Sequence, residues 1–330
     1  MTDLTVVEPD AERPAMPTSR VRALLWALTR RLGQLVVLLF SISTLLFFLL
    51  RLSGDPATVL AGENADPEFL AHVERQYGLD QPLIVQYFTF IAQVAQLDFG
   101  HSVQSGEAAM SMVITRMPST VQLAALGILI NLVVAVPVGA WLGSRPRPVP
   151  RALATGLLVI GQGVPGYVVG LLLMQLFAVQ LMWLPSIGNT GYLSWILPSV
   201  TLAAFLIPRL TRVLATNVST AMDEDFVRTA RASGASKSTV VVRHALPNAL
   251  LGATALVGGQ FAFLLSGALI TEVIFAWPGV GRMLIDAVLQ LDFPVVQAAV
   301  FLIAFLVFLV NALTDILFSV LDPRLRRQRA

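Results

Sequence analysis

The chain has 330 residues, of which 56% are apolar and only 13% charged, with a formal net charge of +2. A soluble domain carries roughly 25% charged residues, so this chain has too little charge to cover a water-exposed surface, and its mean hydropathy of +0.75 agrees. There is no cysteine and there are only three histidines (His72, His101 and His244), which removes disulfides, cysteine-ligated metals, thiol catalysis and a His-rich metal site and leaves a polytopic membrane protein.

Residues 1–27 are expected as a disordered cytoplasmic tail, because the stretch 1–20 has no apolar periodicity and is punctuated by prolines. The charge-free run Leu32–Leu50 predicts a spanning helix over 29–51. It lies behind the tail and has no small-x-small site near Arg51, so it reads as a retained span and not as a cleaved signal. Residues 52–117 leave the membrane. Pro67 opens one short helix, with Phe69, Leu70, Val73 and Tyr77 at helical spacing, and Pro82 opens another, with Leu83, Val85, Tyr87, Phe88 and Ile91. This extracytoplasmic segment fits either a cap on the outer membrane face or a docking surface for an outside partner.

Three runs follow, Ser119–Gly143, Ala152–Leu184 and Tyr192–Pro208, and they predict spans over 118–143, 152–181 and 194–217. The second of these is too long for one upright helix. Its Gly161, Gly163, Pro165, Gly166 and Gly170 suit close helix packing or a kink. The third continues past Arg209 and Arg212, whose long side chains snorkel to the interface. Residues 218–247 are polar enough to leave the membrane. Asp223 suits the cap of a short helix whose first turn carries Glu224 and Asp225, and Gly234 suits its left-handed end. Ser236 suits the cap of a second short helix, Lys237–Ala245, and Pro247 then opens the next span. On physics alone this loop is either a mechanical contact or a plain connector. The runs Asn248–Thr271 and Phe293–Thr314 predict the last spans, over 249–273 and 294–319.

Six spans put both termini on one side. With the termini inside, every basic residue except Arg51, Arg75, Arg116 and Arg282 falls inside, so the positive-inside rule orients the chain with both ends in the cytoplasm. In a soluble protein a pI near 9.4 would suggest nucleic acid. Here membrane lipid, not nucleic acid, is the expected partner of that charge.

No catalytic set is legible. Asp98, His101 and Glu107 lie in the outer segment without an organising pattern. The run Ser233–Ser238 around Lys237 superficially looks like a phosphate-binding loop, but the required glycines are replaced by Arg231 and Ser236 and no strand precedes it. Nucleotide chemistry is therefore expected on partners, with ATP and magnesium bound there and no cofactor or metal on this chain. Asp315 is read as a helix-end hydrogen bond or an ion pair with a basic loop, Glu272 as an anchor for the 274–292 turn, and His244 as a packed or interfacial histidine. Asn131, Gln162, Gln260 and Ser266 are uncharged polar groups inside spans, which join helices by hydrogen bonds or, together with Phe261 and Phe263, line a translocation path.

The spacing Arg228-Thr229-Ala230, three residues, Gly234, nine residues, His244-Ala245-Leu246-Pro247 resembles the EAA loop of ABC importer permeases, whose pattern is Glu-Ala-Ala, three residues, Gly, nine residues, Ile, one residue, Leu-Pro. Arg228, Thr229 and His244 depart from it in the manner of the dipeptide/oligopeptide/nickel branch. RRLGQLVVLLF at the first span, SGDPA at 53–57, YGLDQPLIVQY at 77–87, LDFGHSV at 97–103, TEVIFAWPGVGRM at 271–283, DFPVVQ at 292–297 and LDPRLR at 321–326 resemble the same branch and its first, B-type permease subunit.

The resemblance covers 28–326, with 327–330 as a cytoplasmic tail. It implies an all-α, six-span, type I importer permease of the bacterial inner membrane. It also implies a second homologous permease, two cytoplasmic ATPase subunits and an extracytoplasmic substrate-binding protein as partners. Residues 218–247 would be the coupling loop that sits in a groove on an ATPase. Arg228, Thr229, Ala230, Arg231, Ala232, Ser233, Gly234, Ala235, Ser236, Leu246 and Pro247 would be its working residues, the small ones allowing close approach. The implied cargo is a di- or oligopeptide, with nickel or metal chelates, glutathione and certain sugars as minority cargos. A stand-alone secondary transporter would instead show inverted repeats and mid-membrane ionisable groups.

Overall fold

The computed structural model describes residues 18–53, 57–58, 65–76, 78–145, 156 and 163–321. These are helical throughout, apart from turns and one isolated bridge between His101 and Ala108. Among the described residues, five helices are long and apolar enough to cross a membrane.

Helix α1 spans Thr18–Ser53. Residues 18–27, expected in the disordered tail, are helical instead. Pro17 is the last proline, and Val21, Ala23, Leu24 and Leu25 offer nothing that stops a helix. Between the first two long helices, α2 (Pro67–Gln76) and α3 (Leu83–Ala95) start where Pro67 and Pro82 predict. Helix α3 lies on the end of α1: Tyr87 and Phe90 pack on the buried Phe47, the Tyr87 hydroxyl meets Thr44 Oγ1 at 2.8 Å, and the Arg51 guanidinium covers the Phe47 ring at 3.7 Å.

Helix α4 (Ala109–Gly143) starts nine residues before the predicted 118. At 1.5 Å per residue it is about 50 Å long, well beyond the ~30 Å hydrocarbon core. The surplus is the N-terminal end, where Ala109, Val113 and Met117 share a buried cluster with Val94, Phe99, Val280 and Val295.

Residues 152–155 and 157–162 of the third predicted span lie outside the described residues. Its later part, α5 (Gly166–Gln180), starts after Pro165 and winds as a π-helix over Met174–Gln180. Pro165 stands at the start of this helix with an extended ψ of 135°, where its missing N–H costs nothing. Gly170 serves close packing, since a Cβ there would lie 2.9 Å from the Thr201 side chain.

After a 3₁₀ turn, Tyr192–Trp195, α6 runs from Ile196 to Met222. A short α7 (Asp225–Ala232) follows, then α8 (Lys237–Gly267), α9 (Leu269–Ile274), α10 (Val280–Leu289) and α11 (Phe293–Leu321).

The predicted separate helix Lys237–Ala245 does not exist as such. It runs into the span through a π-helical turn, Val240–Ala245. Pro247 has no N–H for the Arg243 carbonyl and its ring crowds that carbonyl, so a wider turn upstream keeps the helix continuous.

Helices α4 and α6 form the central pair, and glycines set their spacing. A Cβ on Gly139 would stand 2.7 Å from Leu214 Cβ, and one on Gly143 would stand 2.6 Å from the Ala215 carbonyl. Helix α8 packs on α6 and α11, where Gly258 lies against Thr314. Helix α1 closes on α11 through an ion pair between Arg31 and Asp315. The partner expected for Asp315 was a basic loop; it is a residue of the first helix.

Candidate functional site

At one end of the bundle the chain leaves α6, turns and returns as α8. Glu224, not Asp223, stands at the start of α7 with extended ψ; Asp223 ends α6. One residue fixes α7 to the bundle. Val227 is fully buried in a cluster with Val218, Met222, Val240 and Ala245. The rest of the turn points outward: Arg228, Thr229, Arg231, Ala232, Ser233, Gly234 and Ser236 are exposed, with Ala230 and Ala235 half-buried against the cluster.

Gly234 has φ +85°, a left-handed position that costs any residue with a Cβ. A Cβ built there meets nothing within 4 Å, so the space it faces is free for another molecule. Ser236 caps α8 by accepting from Thr239 N at 3.3 Å. Leu246 and Pro247 belong to the joint and not to the outward turn: Leu246 packs on the Val227 cluster, and Asn248 Nδ2 donates to the His244 carbonyl at 2.8 Å. His244 is half-buried at the same joint. The arrangement is a short knob, plugged by Val227 into the ends of two long helices. Sequence reasoning passed over Phe226, which stays 39% exposed on the knob although it is aromatic. An aromatic at the second position of a helix whose fellow Val227 is the plug is the signal that pointed to it.

The polar groups expected along a path divide into separate places. Asn131 and Gln260 are buried and joined, Asn131 Nδ2 donating to Gln260 Oε1 at 2.9 Å, while Gln260 Nε2 donates to the Leu206 carbonyl at 3.3 Å. This is a three-helix joint of α4, α6 and α8. Phe263 is half exposed and stacks on Phe205, ring centroids 5.7 Å apart. Both line a cleft of about 800 Å³ between α6 and α8, whose wall also holds Arg209, Gly259 and the edge of Gln260. Phe261 faces away, into an apolar cleft of about 620 Å³ among α4, α6, α8 and α11. Ser266 bonds back to its own helix, at the Phe263 carbonyl, 3.1 Å away. Gln162 lies outside the described residues.

At the opposite end, Glu272 is fully buried and acts as an anchor. Its carboxylate accepts from Thr120 Oγ1 at 2.7 Å, from Arg282 N at 3.0 Å and from the Gly281 backbone. Arg282 and Gly281 open α10, so a carboxylate from another helix caps its positive end. Thr120 Oγ1 in turn accepts from Val280 N at 2.8 Å, and Trp277 Nε1 donates to the Ser119 carbonyl at 3.0 Å. Gly279 and Gly281 are glycines because the carboxylate fills the place of a side chain: a Cβ on Gly279 would lie 2.3 Å from it.

Past the far end of α10, the buried Asp292 accepts from Ser102 Oγ and, at 3.2 Å, from Val103 N. It ties two turns that sequence reasoning left apart. Both carry Gln-Leu-Asp-Phe, at 96–99 and 290–293, and both end a helix with a left-handed leucine, Leu97 and Leu291. That repeat was the available signal.

Two family models match the chain. The binding-protein-dependent transport system inner membrane component matches residues 135–327, and the N-terminal part of the corresponding membrane component matches 24–124. The glutathione transport system permease protein GsiC of Salmonella choleraesuis (strain SC-B67) is 37% identical over 305 residues, covering 91% of this chain and 98% of the relative. That of Escherichia coli (strain K12) is 36% identical over 298 residues, covering 90% and 97%. Among solved structures, an inward-facing form of the MetNI methionine ABC transporter superposes with a TM-score of 0.56 at 19% identity, over 64% of this chain and 97% of that one. That likeness concerns the fold alone.

Proposed function

The chain belongs to the family of binding-protein-dependent transport system inner membrane components, and from that premise we propose that it forms half of the translocation pathway of an ATP-driven importer of short peptides. It is a multi-pass permease subunit of an ABC importer, not a catalytic enzyme. The observation that carries the coupling role is the α7 knob: an exposed turn, braced by the buried Val227, at the junction of two long helices.

In this reading a second, homologous permease completes the pathway. Two ATPase subunits bind ATP and magnesium on the cytoplasmic side and receive the knob, and a binding protein delivers cargo from outside. Residues 228–236 make the contact, while Leu246 and Pro247 set the joint that passes movement to α8. The α7 end carries most of the basic residues and faces the cytoplasm, with both termini. Closure of the ATPases shifts the population between inward-open and outward-open states, and each knob moves with its own pair of helices. The path runs along the cleft of Phe205, Gln260 and Phe263, while Asn131 holds Gln260 in place.

Glutathione is the first cargo to test, because relatives at 36–37% identity carry that name. It is a tripeptide-like solute, so it falls within the proposed class. The test is uptake of labelled glutathione and trialanine by proteoliposomes holding the whole importer, with binding protein outside and ATP inside. ATP-dependent accumulation that needs the binding protein supports the proposal. Accumulation driven by a proton or sodium gradient without ATP would overturn it in favour of a secondary transporter.

A further inference from the structure

Arg209 stands at the midpoint of α6, Ile196–Met222. Its depth has an independent marker. The Asn131–Gln260–Leu206 joint lies one turn away, and Asn131 is itself central in the apolar stretch Ser119–Gly143 of α4. The side chain is therefore near the level of the bilayer centre, too deep for the snorkelling expected of it. It is exposed on the chain and makes no ion pair or hydrogen bond with any described residue. A guanidinium facing hydrocarbon there is strongly disfavoured. It must face water, an anion or polar groups of another subunit.

The surroundings say which side is wet. From Arg209 toward the α7 end, the exposed residues of α6 are Arg212, Thr216 and Thr220. This is a polar stripe along the exposed side of the helix. The facing stripe of α8 is small: Gly252, Ala255 and Gly259 are all exposed, and a Cβ on Gly259 would meet nothing within 4 Å. Arg209 shares its cleft with the stacked pair Phe205 and Phe263, two apolar faces beside one fixed cation.

We propose that Arg209 is a cargo-binding residue on the translocation path. It holds the carboxylate of a peptide-like solute at mid-membrane, with Phe205 and Phe263 against the solute's apolar part. The guanidinium fork matches a carboxylate bidentately, which an amide cannot reproduce. This rests on the proposed reading of the chain as an importer of short peptides.

The test uses the whole importer in proteoliposomes with ATP inside, and two probes, trialanine and its C-terminal amide. The binding protein is supplied in excess with its measured load of each probe, so that rates report translocation and not capture. Wild type is expected to carry trialanine about tenfold faster than the amide, the scale of one charge-assisted bond pair. Arg209→Gln is expected to slow trialanine about tenfold and leave the amide unchanged. Arg209→Lys is expected to keep part of the preference.

Equal slowing of both probes by Arg209→Gln, or loss of the co-purifying permease from that variant, would overturn the proposal in favour of a structural pair with the partner subunit. Wild type without any preference would overturn it as well. If wild type moved neither probe with ATP, the importer reading itself would fall, a result distinct from a lost preference.

Discussion

Glu272 offers a quantitative check on how the end of the bundle opposite α7 is held. Its buried carboxylate takes three hydrogen bonds, from Thr120, Gly281 and Arg282, and Gly279 lies so close that a Cβ there would sit 2.3 Å away. Glu272→Ala leaves three buried donors without an acceptor, and at ~1 kcal/mol each the loss is about 3 kcal/mol. Gly279→Ala must push the carboxylate off the same donors, so it is expected to cost about as much. The double variant should cost about 3 kcal/mol and not about 6, because the new methyl occupies space the carboxylate has left. The coupling energy of the cycle is then about 3 kcal/mol, larger than the few tenths seen between independent sites. The assay is SDS-titration unfolding of detergent-purified protein, followed by fluorescence in a background where Trp277 is the only tryptophan; Trp277 is fully buried beside the anchor. Additive losses, or a neutral Gly279→Ala, would refute the packing argument.

Two further outcomes are expected. Gly234→Asp should abolish uptake while leaving membrane insertion intact, since the space around its Cβ is open within this chain; Gly234→Asn, which tolerates a left-handed backbone, should cost folding less than ~1 kcal/mol and isolates the steric effect on docking, read as uptake per inserted copy. Asp292→Ala frees Ser102 Oγ and Val103 N, and should lower stability by about 2 kcal/mol and speed proteolysis of the 97–107 turn, whereas Asp98→Ala, which loses only the 2.9 Å bond to Gly100 N, should do so weakly, as limited proteolysis would show.

The spans were legible because a charge-free run of about 20 apolar residues matches the thickness of the hydrocarbon core and little else in a protein. The short helices α2 and α3 were legible because Pro67 and Pro82 mark their starts. The knob was half legible. Gly234 and Ser236 declare a helix end and a cap, but the merger of Lys237–Ala245 with the span depends on a π turn, which has no composition of its own. The early start of α4 was hidden because Arg116 and Pro118 precede the charge-free run that opens at Ser119, although residues 109–117 are mostly apolar and pack with Phe99 and Val295. Glu272 was assigned as an anchor from its position in the turn. Its donors come from Thr120, 152 positions away, and from α10, a pairing that only the fold produces. The Asp292–Ser102 contact, 190 positions apart, had a signal in the repeated Gln-Leu-Asp-Phe. Arg209 was read as snorkelling from a span over 194–217; α6 runs on to Met222, with Arg209 at its midpoint.

The most direct measurement of the coupling role is site-specific photo-crosslinking in the native membrane, with the crosslinker placed at Ala232 on the knob and, as a control, at Ser105 at the opposite end. The proposed function expects an adduct with an ATPase subunit from Ala232 and none from Ser105. An ATPase adduct from Ser105 alone, or a transporting complex in which Ala232 meets no ATPase, would contradict it.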